Sequence, residues 1–256
     1  MTLAIEDPFT KDYSEAVREY LNQKPDELNV VITKSIESAD SLNLILNKLY
    51  DDYRKECDKM NLGPMYNINI IFNELSLLQG SNVFHVNGEE SYGEEIKANI
   101  NSIKLENIAN NDRYKVVAVG GTFDHLHDGH KILLSVATYL STQKLIVGVT
   151  DAELLKNKKY KEQLDSFEKR IQSTLKFLKL LDLKSVEIYK IVDVCGPTGY
   201  VENIDCLVLS QESSGGGEFV NNFRKSIGFK QLEVFTIDLI GGENKLSSTD
   251  LRKADA

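Results

Sequence analysis

Apolar residues recur along this chain at two spacings, and the change between them marks its elements. Leu28 to Thr33 (L-N-V-V-I-T) is a short β-rich run, and Tyr66 to Phe72 (Y-N-I-N-I-I-F) alternates with the period of a strand. Between them, Ser38 to Leu62 carries Leu42, Leu44, Ile45, Leu49 and Tyr53 as a helical stripe that stops at Gly63-Pro64. Asn82 to Val86 reads as one more strand. The pattern predicts a smaller α/β lobe over residues 1–95. It has no Gly-rich turn after its strands and no acid/base constellation, which suits structural support better than catalysis. From Asn87 to Arg113 the chain is polar and poorly periodic, with acidic and Asn-rich stretches, and a linker is expected over 96–113.

From residue 114 strands and helices alternate. Val116–Val119, Lys144–Thr150, Ser185–Val192, Ile204–Ser210 and Leu232–Leu239 read as strands. The helices expected between them begin near His130, with Ile132, Leu133, Val136, Ala137 and Leu140 on one face. They continue at Ser166–Leu181, with Phe167, Ile171, Leu175 and Leu178 inward, and at Gly217–Ile227. Such alternation predicts an α/β, Rossmann-like, doubly wound five-stranded parallel sheet over 114–256.

The candidate chemistry sits in the first β-α unit, V-V-A-V-G-G-T-F-D-H-L-H-D-G-H-K-I-L-L (116–134). A strand, a tight turn at Gly120-Gly121 and a helix start are expected to form an anion site. Glycines let backbone N–H groups approach a phosphate, and a helix N-terminus adds partial positive charge. His125, His127 and His130 all fall here, but no cysteine or second histidine cluster completes a metal set, so no protein-bound metal is expected. Four lysines, Lys156, Lys158, Lys159 and Lys161, follow the next strand and can reach the same crevice.

Charge and cysteine usage narrow the class. A formal charge of −9 and a pI near 5.1 argue against a nucleic-acid or anionic-membrane binder, so phosphate must be held in a local positive pocket. Cys57, Cys195 and Cys206 are an odd, widely spaced set without a zinc pattern. With no apolar run of membrane-spanning length and no basic-then-apolar leader at Met1–Lys11, a cytoplasmic protein is expected.

G-G-T-F-D followed by H-D-G-H resembles the nucleotidyltransferase superfamily that carries an H-x-G-H signature. Its second signature, of the type I-S-S-T-x-x-R, is matched by Leu246-Ser247-Ser248-Thr249-Asp250-Leu251-Arg252. The segments N-K-K-Y-K (157–161) and D-V-C-G-P-T-G (193–199) are similar to eukaryotic, fungal-type phosphopantetheine adenylyltransferase. The resemblance implies transfer of AMP from ATP to 4′-phosphopantetheine, giving dephospho-CoA and pyrophosphate, with Mg²⁺ arriving on ATP. It implies nucleotide contacts from Gly120, Gly121, Thr122, Phe123, Asp124, His127, Gly129, His130, Ser247, Ser248, Thr249 and Arg252. Catalysis falls to His130, Thr122 and one of Lys158 and Lys159, which spacing does not separate. The pantetheine side is expected at Lys158, Lys159, Gly196, Pro197 and Thr198. Bacterial relatives place an arginine after the fourth strand; here Gln211 stands there, so Arg224 becomes the candidate clamp. Implied partners are ATP, 4′-phosphopantetheine, dephospho-CoA or CoA, and other CoA-pathway enzymes. Two alternatives stay open: another H-x-G-H transferase, cytidylyl or mononucleotide adenylyl, and a non-catalytic nucleotide-binding scaffold of a CoA-synthesis complex.

Overall fold

The computed structural model describes residues 2–72, 113–181, 185–238 and 247–254, and the backbone of 83–84. Apart from Arg113, the expected 96–113 linker lies outside the described residues, as do the ends of the strands expected at 82–86 and 232–239. The chain divides into two compact units, Met1–Asn111 and Asp112–Ala256.

The first unit is built on β1 (Thr2–Ile5), α1 (Ser14–Asn22), β2 (Glu27–Ile32), α2 (Ala39–Lys59), β3 (Asn67–Phe72) and β4 (Val83–Phe84). Its strands are all parallel in the order β3-β2-β1-β4. The α2 helix starts where Ser38 Oγ accepts from Ser41 N–H at 3.1 Å, a side-chain cap that satisfies one orphan donor. Its core stripe is Leu42, Ile45, Leu46, Leu49 and Tyr53; Leu44 is 51% exposed. Two positions from Leu42 is about 200° around a helix, so Leu44 points the opposite way from the stripe it was assigned to. The strand β1 lacks a sequence signal, since four residues are too few to display a period, whereas α1 carries Ala16, Val17, Tyr20 and Leu21 on one buried face.

The second unit carries β5 (Tyr114–Gly121), α3 (Asp128–Leu140), β6 (Ser141–Thr150), α4 (Phe167–Leu180), β7 (Val186–Ile191), α5 (Pro197–Tyr200), β8 (Cys206–Ser210), α6 (Ser214–Ser226), β9 (Glu233–Ile237) and α7 (Ser248–Ala254). Its five parallel strands lie in the order β7-β6-β5-β8-β9, a Rossmann-like sheet. The connections that leave β5 and β8 run toward opposite sheet edges, so the carboxyl ends of these two strands flank a switch point, where open α/β sheets bind ligands. Val116 and Ala118 meet Ile146, Leu207 and Leu209 in the core.

Four expectations change. Gly120 and Gly121 are the last residues of β5, in register with Gly148 and Val149, and are not the turn itself. The reversal is made by Phe123 and His125, both left-handed at φ +50° and +45°. Such values are strained for these residues and cluster at functional sites. In α3, which opens at Asp128, every residue from Lys131 to Leu140 is buried, as expected of a helix covered on all sides. In α4 the fully buried positions are Arg170, Thr174, Phe177 and Leu178, with Ile171 and Leu175 on the flanks. The helix expected at Gly217–Ile227 begins earlier, at Ser214, after a 3-10 turn (Gln211–Ser213). A Cβ on Gly217 would lie 3.1 Å from Leu209 Cδ1, so its bareness lets α6 sit close on the sheet. Among the described residues no helix is long and apolar enough to cross a membrane.

Candidate active site

The turn between β5 and α3 is held from below by a residue the sequence reading did not single out. Arg170, 3% exposed, donates from Nη1 to the carbonyls of Thr122 (2.7 Å) and Thr150 (2.9 Å) and from Nε to that of Asp165 (3.2 Å). Burial lowers its pKa from the ordinary 12.5, but three carbonyl acceptors suit the cation. Thr150 Oγ1 donates to the Gly121 carbonyl at 3.1 Å, joining the ends of β5 and β6. The only sequence signal for Arg170 is a cation at a core-facing helix position, which needs the helix phase to be known.

His127 is the N-cap of α3 and its ring stacks on His130, centroids 4.0 Å apart. The Phe123 ring, fully buried, tilts against His130 at 5.4 Å. The Nδ1 of His130 is enclosed with no hydrogen-bond partner among the described residues. Desolvation, then the neighbouring His127 and Lys158, holds the His130 imidazole well below its ordinary 6.5. His130 is therefore neutral at pH 7, at a helix N-terminus whose first N–H groups have no intrahelical partners. Lys158 is exposed yet close enough to act on His130 electrostatically. Its loop is anchored by Leu155, which is buried.

The second motif meets the first at Asp124. Arg252 Nη1 pairs with Asp124 Oδ2 at 2.5 Å, both side chains buried. Arg252 also donates from Nη2 to Thr249 Oγ1 (3.1 Å) and from Nε to the Lys159 carbonyl (3.1 Å). Ser248 Oγ donates to the Asp124 carbonyl at 3.0 Å. Ser247 caps α7, its Oγ accepting from Asp250 N–H at 3.2 Å and donating to Asp250 Oδ2. The side chains of Arg252 and Asp124, for which nucleotide contacts are implied by the resemblance, are thus engaged with one another. A guanidinium 2% exposed and aimed at a carboxylate, a hydroxyl and a carbonyl ties the site together instead of reaching outward. The Phe123 ring is likewise enclosed and packs against His130.

Asp124, His125 and Asp165 each bring one potential ligand atom within 4.8 Å of the others. The donor set does not fit a resident Mg²⁺. Asp124 Oδ2 is held by Arg252, its Oδ1 accepts from Asp165 N–H at 2.9 Å, and Lys169 Nζ lies 2.6 Å from Asp165 Oδ1. Two cations already balance the two carboxylates, and an imidazole is a poor partner for so hard an ion.

The 193–200 loop turns the residues expected on the pantetheine side inward. Gly196, Pro197 and Thr198 are buried; Asp193 Oδ1 accepts from the N–H groups of Cys195 (2.9 Å) and Gly196 (2.8 Å), and Thr198 Oγ1 donates to the Cys195 carbonyl. What this loop presents outward is Val192, Val194 and Tyr200. Arg224 is no clamp. It is wholly buried and donates to the carbonyls of Thr198 (2.6 Å), Val201 (2.9 Å), Glu202 (2.8 Å) and Lys230 (2.7 Å). Cys195 is buried and its thiol is pushed up by desolvation, which removes it as a nucleophile.

Residues 118–254 match the model of the cytidylyltransferase-like family. The phosphopantetheine adenylyltransferase of Saccharomyces cerevisiae is 37% identical over 263 residues, covering 91% of this chain and 85% of the relative. That of Pyrococcus horikoshii is 36% identical over 143 residues, 55% of this chain and 89% of the relative, and that of Pyrococcus furiosus is 35% identical over 142 residues. The likeness thus extends to archaea and is not confined to a fungal type.

Proposed function

The chain belongs to the phosphopantetheine adenylyltransferase family, and from that premise we propose that it transfers AMP from ATP to 4′-phosphopantetheine, giving dephospho-CoA and pyrophosphate. The observation that carries this reading is the Asp124–Arg252 pair, which brings the Ser247–Thr249 turn beside the Thr122–His130 turn. The fungal-type reading rests on coverage: the yeast relative spans 91% of this chain and the archaeal ones about half. Three buried thiols suit a reducing compartment such as the cytoplasm.

A phosphate oxygen of 4′-phosphopantetheine attacks the α-phosphorus of Mg²⁺-bound ATP. The new P–O bond forms in line as the bond to the β-phosphate bridge breaks, and pyrophosphate leaves. The nucleophile is already ionised at neutral pH, so no general base is needed, and catalysis is positioning plus charge neutralisation. Neutral His130 donates from Nε2–H to the α-phosphoryl oxygens, leaving the proton-free Nδ1 in its dry recess. Thr122, fixed through its carbonyl by Arg170, orients the incoming phosphate with the Gly120-Gly121 backbone. His127 and Gly129, at the start of α3, border the triphosphate, and the Ser247, Ser248 and Thr249 turn holds the departing pyrophosphate. Lys158 is the lysine that neutralises the transferring group, because its charge is the one His130 senses. Lys159 serves through its backbone, held by Arg252. Val192 and Val194 take over from Gly196, Pro197 and Thr198 as the surface for the pantetheine arm.

Pyrophosphate release tests the reading. Release with ATP plus 4′-phosphopantetheine, and not with CTP or nicotinamide mononucleotide as replacement substrates, is expected. Turnover with either replacement moves the chain to a sister transferase, and none with any pair leaves a scaffold.

A further inference from the structure

Arg170 holds the lysine loop at both ends and the β5–α3 turn beside it. The strands β5 and β6 pair last at Gly121 and Val149. Just past that pair, Arg170 Nη1 donates to the carbonyls of Thr122 (2.7 Å) and Thr150 (2.9 Å), so a side chain bridges the strands where their backbone ladder stops. Thr150 is the last residue of β6, and the loop that follows carries Lys158 and runs to Asp165, ahead of α4. The carbonyl of Asp165 accepts from Arg170 Nε at 3.2 Å. The guanidinium also lies 5.4 Å from the centroid of the Phe167 ring, and Lys190 Nζ is equally near that ring. Lys190 in turn pairs with Asp151, the first residue of the loop, at 2.9 Å.

Fixing the Thr122 carbonyl matters because the next residue is strained. Phe123 has φ +50°, a conformation that a bulky side chain keeps only while its surroundings over-determine it. Its ring tilts against His130 at 5.4 Å. Release of the carbonyl before it would let Phe123 relax and uncover the imidazole. A lysine at 170 could not prevent this, since an ammonium is a point charge without the planar fork that reaches three carbonyls at once.

We propose that Arg170 is a positioning residue for the transfer: one buried guanidinium sets the spacing between the turn that holds Thr122 and His130 and the loop that carries Lys158. This rests on the roles given above to those three residues. A misplacement of about 1 Å in such a site costs about 10²-fold in rate.

Arg224 supplies the control. It is also buried and donates to four carbonyls, none of them in the turn or the loop. Steady-state kinetics on the whole protein therefore compare Arg170→Lys with Arg224→Lys, with melting temperatures as the check on folding. Arg170→Lys is expected to lose about 10²-fold in kcat while KM for ATP and for 4′-phosphopantetheine stays within about threefold. Arg224→Lys is expected to lose as much in melting temperature and to keep its kcat. The His130 Cε1–H resonance, which needs no substrate, should titrate closer to the ordinary imidazole value of 6.5 in Arg170→Lys alone. Should Arg170→Lys not fold, Phe167→Leu removes the ring beside the guanidinium and leaves its hydrogen bonds; a smaller kcat loss with the same KM pattern is expected. A folded Arg170→Lys with wild-type kcat, a loss carried by KM, an unmoved His130 resonance, an equal kcat loss in Arg224→Lys, or a fully active Phe167→Leu overturns the proposal alone. A wild type that releases no pyrophosphate overturns the reading beneath it, and the proposal with it.

Discussion

Arg252 and Asp124 stand 128 residues apart in sequence and form a buried ion pair at 2.5 Å. Around that contact are gathered the Ser248 hydroxyl, the Lys159 carbonyl and the backbone of the β5–α3 turn. It is the joint between the two motifs.

Breaking one side of this pair strands a charge in the interior. Arg252→Met and Asp124→Asn should each destabilise the second unit by about 3–5 kcal/mol in urea titrations. The double variant should lose clearly less than the sum, because both singles delete the same interaction. Additive losses would show that the two side chains do not depend on each other.

His130→Ala should lower kcat about 10²–10³-fold, the equivalent of one placed donor to a charged transition state, or about 3–4 kcal/mol. ATP affinity measured by calorimetry should change little. A variant that turns over like the wild type removes His130 from the chemistry.

The His130 imidazole is held below its ordinary 6.5, so the unfolded chain takes up a proton that the folded chain refuses. Stability must then fall as pH drops through about 6.5, and keep falling until the folded-state value is reached. In His130→Asn this component is gone. The wild type's stability relative to the variant should therefore decline between about pH 7.5 and 5.5. A constant difference would mean that the imidazole is not desolvated.

Lys158→Ala should reduce kcat by roughly 10²-fold, whereas Lys159→Ala should stay within a few-fold of wild type. The alanine at 159 keeps the carbonyl that Arg252 uses. The reverse order in steady-state kinetics would reassign the lysine.

Arg224→Met leaves four carbonyls without their donor and should cost about 2–4 kcal/mol of stability. Its KM for 4′-phosphopantetheine should not move. A large rise in KM in folded protein would restore Arg224 as a clamp.

The strands of the second unit were legible because each is a short stretch rich in β-branched and apolar residues set off by turns, and both motifs stood out by residue type. Less legible were the roles of their arginines. An arginine in a phosphate-binding motif looks alike in sequence whether it faces ligand or core. Arg170, Arg224 and Arg252 all face inward to carbonyls or a carboxylate. The glycine pair misled in a similar way: Gly120 and Gly121 continue the strand, and Phe123 and His125 take the left-handed turn. Nothing local forecasts that, because the surrounding contacts hold these residues in a conformation they would otherwise avoid.

By itself the sequence determined the parallel α/β plan, the order of the two motifs and the chemical types of the groups they contribute, since periodicity and residue identity are properties of the chain alone. Only the tertiary structure decided which of those groups face the crevice. It put His130 under the influence of Lys158, held the imidazole below its ordinary range and turned Arg252 inward, because burial and long-range pairing arise only when distant segments are packed together.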